Sequence, residues 1–141
     1  MHARYLQRCA ELAARASDTG DAPVGALVVR GGSVIGEGVE AVRGRHDATA
    51  HAEIEALRAA SRRLGSHDLS GSTLYTSVAP CVMCAFAIRL ARIAVVVWAS
   101  SSGDAGDAVS GRDVLTNPAI LRARALPVVI GPGGEDEPPH E

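Results

Sequence analysis

The chain has 141 residues, of which 47% are hydrophobic, and its formal net charge at pH 7 is −2. This length and composition fit one domain with a substantial core and exclude a chain that is disordered overall. The small net charge excludes a strong overall attraction to nucleic acid or to an anionic membrane. The longest apolar run, residues 93–99, is too short to cross a bilayer, and the N-terminal residues favour an amphipathic helix over a signal peptide. We therefore expect a soluble, cytoplasmic protein without membrane contacts.

Helical and strand patterns alternate along the chain. In chain order they predict a helix at 3–17, strands at 24–30 and 33–37, a helix at 49–64, a strand at 72–78, a helix at 81–91, a strand at 93–98, helical turns at 112–115 and 118–122, and a strand at 126–130. This order predicts a three-layer α/β/α domain with a five-stranded mixed sheet in residues 1–130. Residues 131–141 are rich in Gly, Pro and acidic residues, which predicts a disordered tail.

Two of the predicted helices carry residues with specific expectations. Cys9 lies on the apolar face of the first helix, where a small buried residue is expected rather than a ligand. Thr49 is expected to cap the second helix. The apolar side of that second helix is expected to carry Ile54, Leu57 and Leu64.

Three potential metal ligands stand near predicted helix starts. His51 is in the first turn of one helix, and Cys81 and Cys84 are in the first turn of another. Cysteines three apart on a helix face nearly the same side, and a helix N-terminus favours thiolates. If the two helices begin side by side, the three side chains can bind one Zn²⁺ ion. Three protein ligands leave one zinc position open for a catalytic water, whose pKa zinc lowers toward neutrality.

A carboxylic acid follows the histidine by two residues. Glu53 points in a different direction from His51 on a helix, which makes it a candidate for proton transfer rather than metal binding. The joined pattern of His-x-Glu followed by Pro-Cys-x-x-Cys is typical of zinc nucleobase deaminases. A structural zinc site is disfavoured because no fourth ligand lies suitably close in sequence. A thioredoxin-like redox pair is disfavoured because it leaves the histidine and the acid without a role.

At these residues the chain resembles the cytidine deaminase superfamily, and most closely the branch of tRNA-specific adenosine, guanine and cytosine deaminases. The resemblance covers about residues 21–118. It is carried by residues 21–26, 36–38, 44–47, 49–54, 73–75, 80–85 and 113–115. It implies a five-stranded sheet between helices, one catalytic zinc per chain and, in most cases, a homodimer. It also implies that His51, Cys81 and Cys84 bind the zinc.

The resemblance assigns roles to further residues. Glu53 is expected to carry protons from the catalytic water to the substrate's ring nitrogen and to the leaving amine. The backbone N–H groups of Ala52 and Cys81 are expected to lie near the substrate. The substrate-binding positions that it implies are Val24, Ala26, Glu40, Ala52, Pro80, Ser102 and Asp104.

Several residues depart from the family pattern. Glu40 stands where an asparagine that hydrogen-bonds the substrate is usual, and an ionised carboxylate only accepts hydrogen bonds. A pocket with this acid should prefer a substrate with extra N–H donors or a cationic group, unless Glu40 faces solvent in a shifted loop. Ser102 replaces a frequent aspartate, for which Asp104 could substitute. Ala79 replaces the glutamate that tRNA deaminases carry before Pro-Cys.

The C-terminal residues also bear on RNA binding. The tRNA enzymes continue into a helix with basic and aromatic residues, whereas here residues 135–137 are all acidic and would repel phosphate. A rim of four arginines remains as a basic surface, although exposed arginines usually form a solvated face. These arginines are Arg43, Arg45, Arg62 and Arg63. Binding of tRNA is therefore disfavoured, but it stays an alternative.

Three functions follow from the sequence. The leading one is hydrolytic deamination of a free nucleobase, a nucleoside or a related small heterocycle, with release of ammonia. The first alternative is a tRNA-specific deaminase that converts the wobble adenosine to inosine. The second is a degenerate, zinc-binding accessory subunit, which the intact set of His51, Glu53, Cys81 and Cys84 disfavours.

Overall fold

The computed structural model describes residues 1–101 and 109–133. Its elements are α1 (His2–Asp18), β1 (Gly25–Arg30), β2 (Ser33–Val39), α2 (Val42–Arg45), α3 (Ala52–Leu64), β3 (Thr73–Val78), α4 (Val82–Leu90), β4 (Val95–Ser100), α5 (Gly111–Thr116) and β5 (Val128–Ile130). The predicted disordered tail falls almost wholly outside the described residues. None of the described helices combines the length and the apolar character that a bilayer crossing requires.

The strands form one five-stranded sheet in the order β2-β1-β3-β4-β5. β1 pairs antiparallel with both β2 and β3, whereas β4 pairs parallel with both β3 and β5. The predicted mixed sheet is therefore confirmed. Because β3 and β4 are parallel, their carboxyl ends lie at the same edge of the sheet, where the chain turns from β3 into α4.

Helices cover both faces of this sheet, as the alternation along β1 shows. Leu27 belongs to a hydrophobic cluster that contains Tyr5 and Cys9 of α1. Its neighbours Ala26 and Val28 belong to the cluster on the side of α3 and α4. Successive residues of a strand point to opposite faces, so the two clusters form two separate cores. The three-layer α/β/α architecture is confirmed, and Cys9 is fully buried as expected.

Two glycines bring α3 unusually close to the sheet. A Cβ on Gly36 would lie 2.5 Å from the backbone nitrogen of Ala60, and a Cβ on Gly38 would lie 2.0 Å from the carbonyl oxygen of Ala52. At this distance only small residues fit between helix and sheet. The side of α3 that faces the sheet is accordingly rich in alanine.

This close packing corrects the predicted apolar side of α3. The buried residues of the helix are Ala52, Glu53, Ala56, Leu57 and Ala60. Ile54 is only half-buried and Leu64 is exposed. Large side chains were expected to mark the core, but the glycines of β2 leave room for alanine only, so these two large residues lie away from the sheet.

Helix ends differ from expectation at two places. α3 has His51 as its N-cap, and the Thr49 hydroxyl donates instead to the Asp47 carboxylate at 2.7 Å, so the predicted Thr49 cap is wrong. The predicted loop at 38–47 contains the short helix α2. Asp21 supplies the missing cap for α2 from a distance, because its carboxylate accepts from the backbone N–H groups of Arg43 and Gly44 at 2.7 and 3.2 Å.

The C-terminal part of the structure agrees in outline with the elements predicted from the sequence. The predicted turn at 112–115 is the helix α5, which begins with a capping box between Ser110 and Asp113. The predicted helical turn at 118–122 lies in a run of turns at 118–123 that does not extend into a helix. Buried Arg89 of α4 holds this region through hydrogen bonds to the carbonyl oxygens of Val114, Asn117 and Ile120.

Candidate active site

Two helix starts bring the predicted metal ligands together. His51 immediately precedes α3, Cys81 immediately precedes α4, and Cys84 lies in the first turn of α4. The Nδ1 atom of His51 is 3.6 Å from the Sγ of Cys81 and 3.5 Å from the Sγ of Cys84. One ligand atom from each residue lies within 4.8 Å of the other two.

The spacing of these atoms fits zinc. A tetrahedral zinc ion with bonds of about 2.3 Å to sulfur and about 2.0 Å to nitrogen holds the two atoms about 3.5 Å apart. The three residues carry no disulfide, since both cysteines are free thiols. Cys84 is buried, whereas His51 and Cys81 are half-buried, so the cluster is reachable from one side. The set therefore suits a zinc ion that keeps a position open.

The protein environment favours a thiolate at the first cysteine. The hydrogen bond with Cys84 lowers the pKa of Cys81 to about 5, and the backbone N–H groups of Cys84 and Met83 act in the same direction. The same shared hydrogen bond and burial raise the pKa of Cys84. A thiolate is the form that binds metal, so one ligand is prepared for zinc by the fold itself.

Glu53 lies beneath the cluster as a buried acid. It is 3% exposed, and its Oε1 accepts a hydrogen bond from the Thr76 hydroxyl at 2.8 Å. Its Oε2 accepts from the Cys84 thiol at 3.4 Å. Burial raises the pKa of Glu53, while the hydrogen bonds from Thr76 and Cys84 oppose that rise. A positioned carboxylate of this kind can accept a proton from one group and pass it to another.

Glu40 also belongs to the wall of this site. Its Oε1 accepts from the backbone N–H of Ala52 at 2.7 Å, and one of its carboxylate oxygens lies within 4.8 Å of ligand atoms of His51 and Glu53. The alternative that Glu40 faces solvent in a shifted loop is therefore wrong. Burial raises the pKa of Glu40, and the Ala52 hydrogen bond partly offsets this.

The other predicted substrate-binding residues differ in burial and location. Val24 is half-buried against the core and its carbonyl accepts from the Glu40 backbone N–H at 3.1 Å. Ala26 and Ala52 are fully buried, on the face of the sheet that carries α3. Pro80 is buried where β3 leads into α4. Ser102 and Asp104 lie outside the described residues.

The backbone behind Pro80 is held by α5. A Cβ on Gly111 would lie 1.8 Å from the Pro80 carbonyl oxygen, so this glycine lets the start of α5 touch the segment that carries Cys81. The Arg89 hydrogen bonds fix the other end of α5. The position of Cys81 thus depends on α5 as well as on α4.

Comparison with known proteins identifies the family. Residues 1–100 match the family described as the cytidine and deoxycytidylate deaminase zinc-binding region. The chain belongs to this family. The expected superfamily is thereby confirmed. The cluster of His51, Cys81 and Cys84 is compatible with the zinc ion that this family binds.

Related deaminases act on more than one kind of substrate. The chain is 36% identical over 116 residues to the tRNA-specific adenosine deaminase of Aquifex aeolicus (strain VF5), covering 82% of this chain and 77% of that protein. It is 41% identical over 108 residues to the guanine deaminase of Bacillus subtilis (strain 168), covering 76% and 69%. A solved structure from studies of A-to-I editing by tRNA:A34 deaminases at the wobble position of transfer RNA superposes with a TM-score of 0.83 and 34% identity, covering 92% of each chain. The chain is a deaminase, that is, a hydrolase of C–N bonds.

One residue of the deaminase site is missing from the candidates predicted by sequence. Thr76 is fully buried and fixes the Glu53 carboxylate, although it is an ordinary residue of a predicted strand. A signal for it does exist. In β3 it occupies the same face as Leu74, toward α3, so it is a polar residue at a core position. Buried hydroxyl groups need a partner, and that partner here is the acid.

Proposed function

We propose that this deaminase hydrolyses the exocyclic amine of a free nucleobase, a nucleoside or a related small heterocycle. Water adds to the amine-bearing ring carbon, the C–N bond breaks, and a carbonyl and ammonia are formed. The observation that carries the proposal is the buried carboxylate of Glu53, 3.4 Å from a sulfur of the metal-ligand cluster. An acid that served only the structure would have no need to stand beside three metal ligands.

The chain's own residues supply the proton transfers. His51, Cys81 and Cys84 would hold the zinc, which when bound supplies Lewis acidity that activates the catalytic water. Glu53 takes a proton from the attacking water and delivers it to the ring nitrogen next to the reacting carbon. It then transfers the second proton to the amine, which leaves as ammonia. Thr76 keeps the carboxylate in one orientation throughout, because its hydroxyl donates to Oε1 at 2.8 Å.

Three features support a small substrate. Glu40 adds a second carboxylate, and thus negative charge, to the site. Arg45, part of the candidate basic rim, is paired with Glu55 at 3.1 Å and is therefore partly neutralised. Residues 135–137 add further negative charge in the sequence. These charges weaken the attraction to phosphate on which RNA binding depends.

An ammonia-release assay tests the proposal. Zinc-loaded protein is incubated with free bases, nucleosides, pterins and aminotriazines, and Glu53→Gln serves as the matched variant. The wild type should release ammonia from at least one compound, and E53Q should lose activity by about a thousandfold or more while it keeps one zinc per chain. Full activity of E53Q, or no ammonia from any compound with zinc bound, would contradict the proposal.

A tRNA wobble adenosine deaminase is the second candidate. It is favoured by the 0.83 TM-score to the tRNA:A34 deaminase structure over 92% of both chains. It predicts inosine formation in an anticodon stem-loop and binding that weakens steeply with salt. An absence of stem-loop binding at low salt would eliminate it.

We further infer a homodimer in the cytoplasm. α4 exposes Val82, Phe86 and Leu90, spaced four apart, so that they form one apolar stripe. Leu90 also lines a groove of about 610 Å³ between α3 and α4. A second copy of this chain is the occupant that we propose for the stripe. Cys81 and Cys84 form no disulfide and are placed as metal ligands, an arrangement typical of cysteine pairs in reducing compartments, which supports the cytoplasm.

A further inference from the structure

Glu40 is an acid in the site to which the mechanism assigns no role. It follows directly after β2, and its carboxylate lies within 4.8 Å of ligand atoms of His51 and Glu53. The usual reason for a half-buried carboxylate is a basic partner. In residues 1–101 and 109–133, no arginine forms an ion pair with Glu40, and the chain has no lysine.

The carboxylate has spare capacity to accept hydrogen bonds. Within the described part of the chain, the Glu40 carboxylate accepts one hydrogen bond, from the Ala52 backbone N–H to Oε1 at 2.7 Å. An ionised carboxylate has two oxygens and room for about four hydrogen bonds, and it cannot donate any. Within the described residues, the Oε2 atom of Glu40 is therefore available as an acceptor next to Glu53, the acid that serves the reacting carbon.

We propose that Glu40 is a specificity-determining residue that accepts a hydrogen bond from an N–H on the substrate ring. The inference rests on the proposed deaminase function. The substrate class that it selects is an aminated heterocycle with a ring N–H on the same edge as the leaving amine, as in a 2-amino-4-oxo ring. A ring with a bare nitrogen at that position places a lone pair against the carboxylate and is disfavoured.

Neighbouring donors on one ring edge match the two neighbouring acids. A carboxylate oxygen of Glu40 lies within 4.8 Å of one of Glu53, so a ring whose leaving amine is served by Glu53 would present its adjacent N–H to Glu40. A polar site of this kind rejects an analogue that lacks the donor, because its buried acceptor is then left unpaired. An adenine or cytosine ring has no such N–H beside the reacting carbon, so both are poor partners for this acid.

Glu40 has a structural role that must be separated from this one. His51, the N-cap of α3, makes no side-chain capping bond, and Glu40 instead accepts from the first N–H of the helix. Glu40→Gln keeps an oxygen for the Ala52 N–H but replaces the second acceptor with an NH₂ donor. Glu40→Ala removes both. The pair of variants thus distinguishes a helix cap from a substrate contact.

The test uses matched substrate pairs that differ at one ring position. Guanine and isocytosine carry the N–H, whereas 2-aminopurine and 2-aminopyrimidine carry the same amine beside a bare nitrogen. Ammonia release gives kcat/KM for zinc-loaded wild type, E40Q and E40A. Equilibrium affinities for the same compounds are measured in the Glu53→Gln background, where binding is observed without turnover. Thermal unfolding reports on the cap.

The wild type should favour the N–H member of a pair by about tenfold or more, in kcat/KM and in affinity. E40Q should lose or invert this preference while it unfolds near the wild-type temperature, and E40A should lose the preference and also unfold earlier. The same ratio in wild type and E40Q, or a wild type that prefers the bare-nitrogen members, would overturn the inference and leave deamination standing. A zinc-loaded wild type without activity on any compound would instead overturn the proposed function, while the affinities still report whether Glu40 reads the N–H.

Discussion

At the scale of single residues, the site depends on how one hydroxyl group orients one acid. Thr76→Val keeps the shape of the side chain but leaves the Glu53 Oε1 atom without its 2.8 Å donor. Loss of a buried hydrogen bond costs about 1–3 kcal/mol, so we expect kcat to fall by about tenfold to a hundredfold. The measurement is kcat for ammonia release, together with zinc content.

Thr73→Val is the matched control for this change. It lies on the same strand as Thr76 but an odd number of residues away, so it points to the face that carries α1. We expect its kcat to stay close to that of the wild type. Equal kcat values for T76V and the wild type, at equal zinc content, would show that Thr76 does not orient the acid.

The sequence predicts the ligands of this site better than their surroundings. His51, Cys81 and Cys84 are recognisable because helix spacing and helix starts dictate where such residues point. Glu40 is different, because it follows the end of a strand, where the chain can turn toward the site or toward solvent. Its direction is decided by the free N–H of Ala52 at the start of α3, a contact between distant parts of the chain.

At the scale of elements, the position of α3 is fixed by glycines rather than by large side chains. A Cβ on Gly38 would meet the carbonyl oxygen of Ala52 at 2.0 Å, beside the proposed metal ligand His51. A Cβ on Gly36 would meet the backbone nitrogen of Ala60 at 2.5 Å, two turns further along. Either substitution must displace the helix, at a cost of about 1–3 kcal/mol.

The two substitutions should differ in their effect on zinc. Gly38→Ala displaces the start of α3, so we expect zinc affinity to fall by about tenfold or more. Gly36→Ala displaces the later turns and should leave zinc affinity nearer the wild-type value at a similar loss of stability. Chelator competition measures the affinity, and urea unfolding measures the stability. Equal zinc affinities in both variants would contradict this account.

Two hydrogen bonds from one arginine connect α1 to the edge strand β2. Arg8 donates to both carboxylate oxygens of Glu37, at 2.7 and 3.1 Å. These hydrogen bonds lower the pKa of Glu37. A carboxyl group whose pKa is lower in the folded state stabilises the fold above its unfolded pKa, about 4.3, and this contribution is lost as the pH falls through the folded value.

Glu37→Gln should therefore destabilise the protein in a pH-dependent way. Because both side chains are about a third exposed, we expect a loss of at most about 1 kcal/mol at pH 7. The difference from the wild type should shrink as the pH is lowered below about 4, and it should also shrink in 1 M salt. Urea unfolding across this range measures it. A difference that is the same at every pH would assign the effect to packing instead.

At the scale of the whole molecule, alternating strand and helix patterns predict the layers and the mixed sheet, because the fold follows from their order. The helix faces are less predictable. The alanine-rich side of α3 is buried only because glycines of β2 lie opposite, and this pairing joins segments that are distant in sequence. The large residues of α3 that the sequence suggested for the core consequently lie on another side of the helix. Ile54, for example, lines the groove beside α4.

The apolar stripe of α4 gives the last prediction. Phe86 is 40% exposed at the centre of the stripe, so a charge there would be buried without a partner if a second copy covers it. Sedimentation velocity should show a wild-type dimer and a monomeric Phe86→Glu with unchanged zinc content. Val128→Glu is the control, because Val128 is 47% exposed on β5, away from α4, and this variant should remain a dimer. A monomeric wild type at micromolar concentration, or a dimeric F86E, would show that the stripe is not the interface.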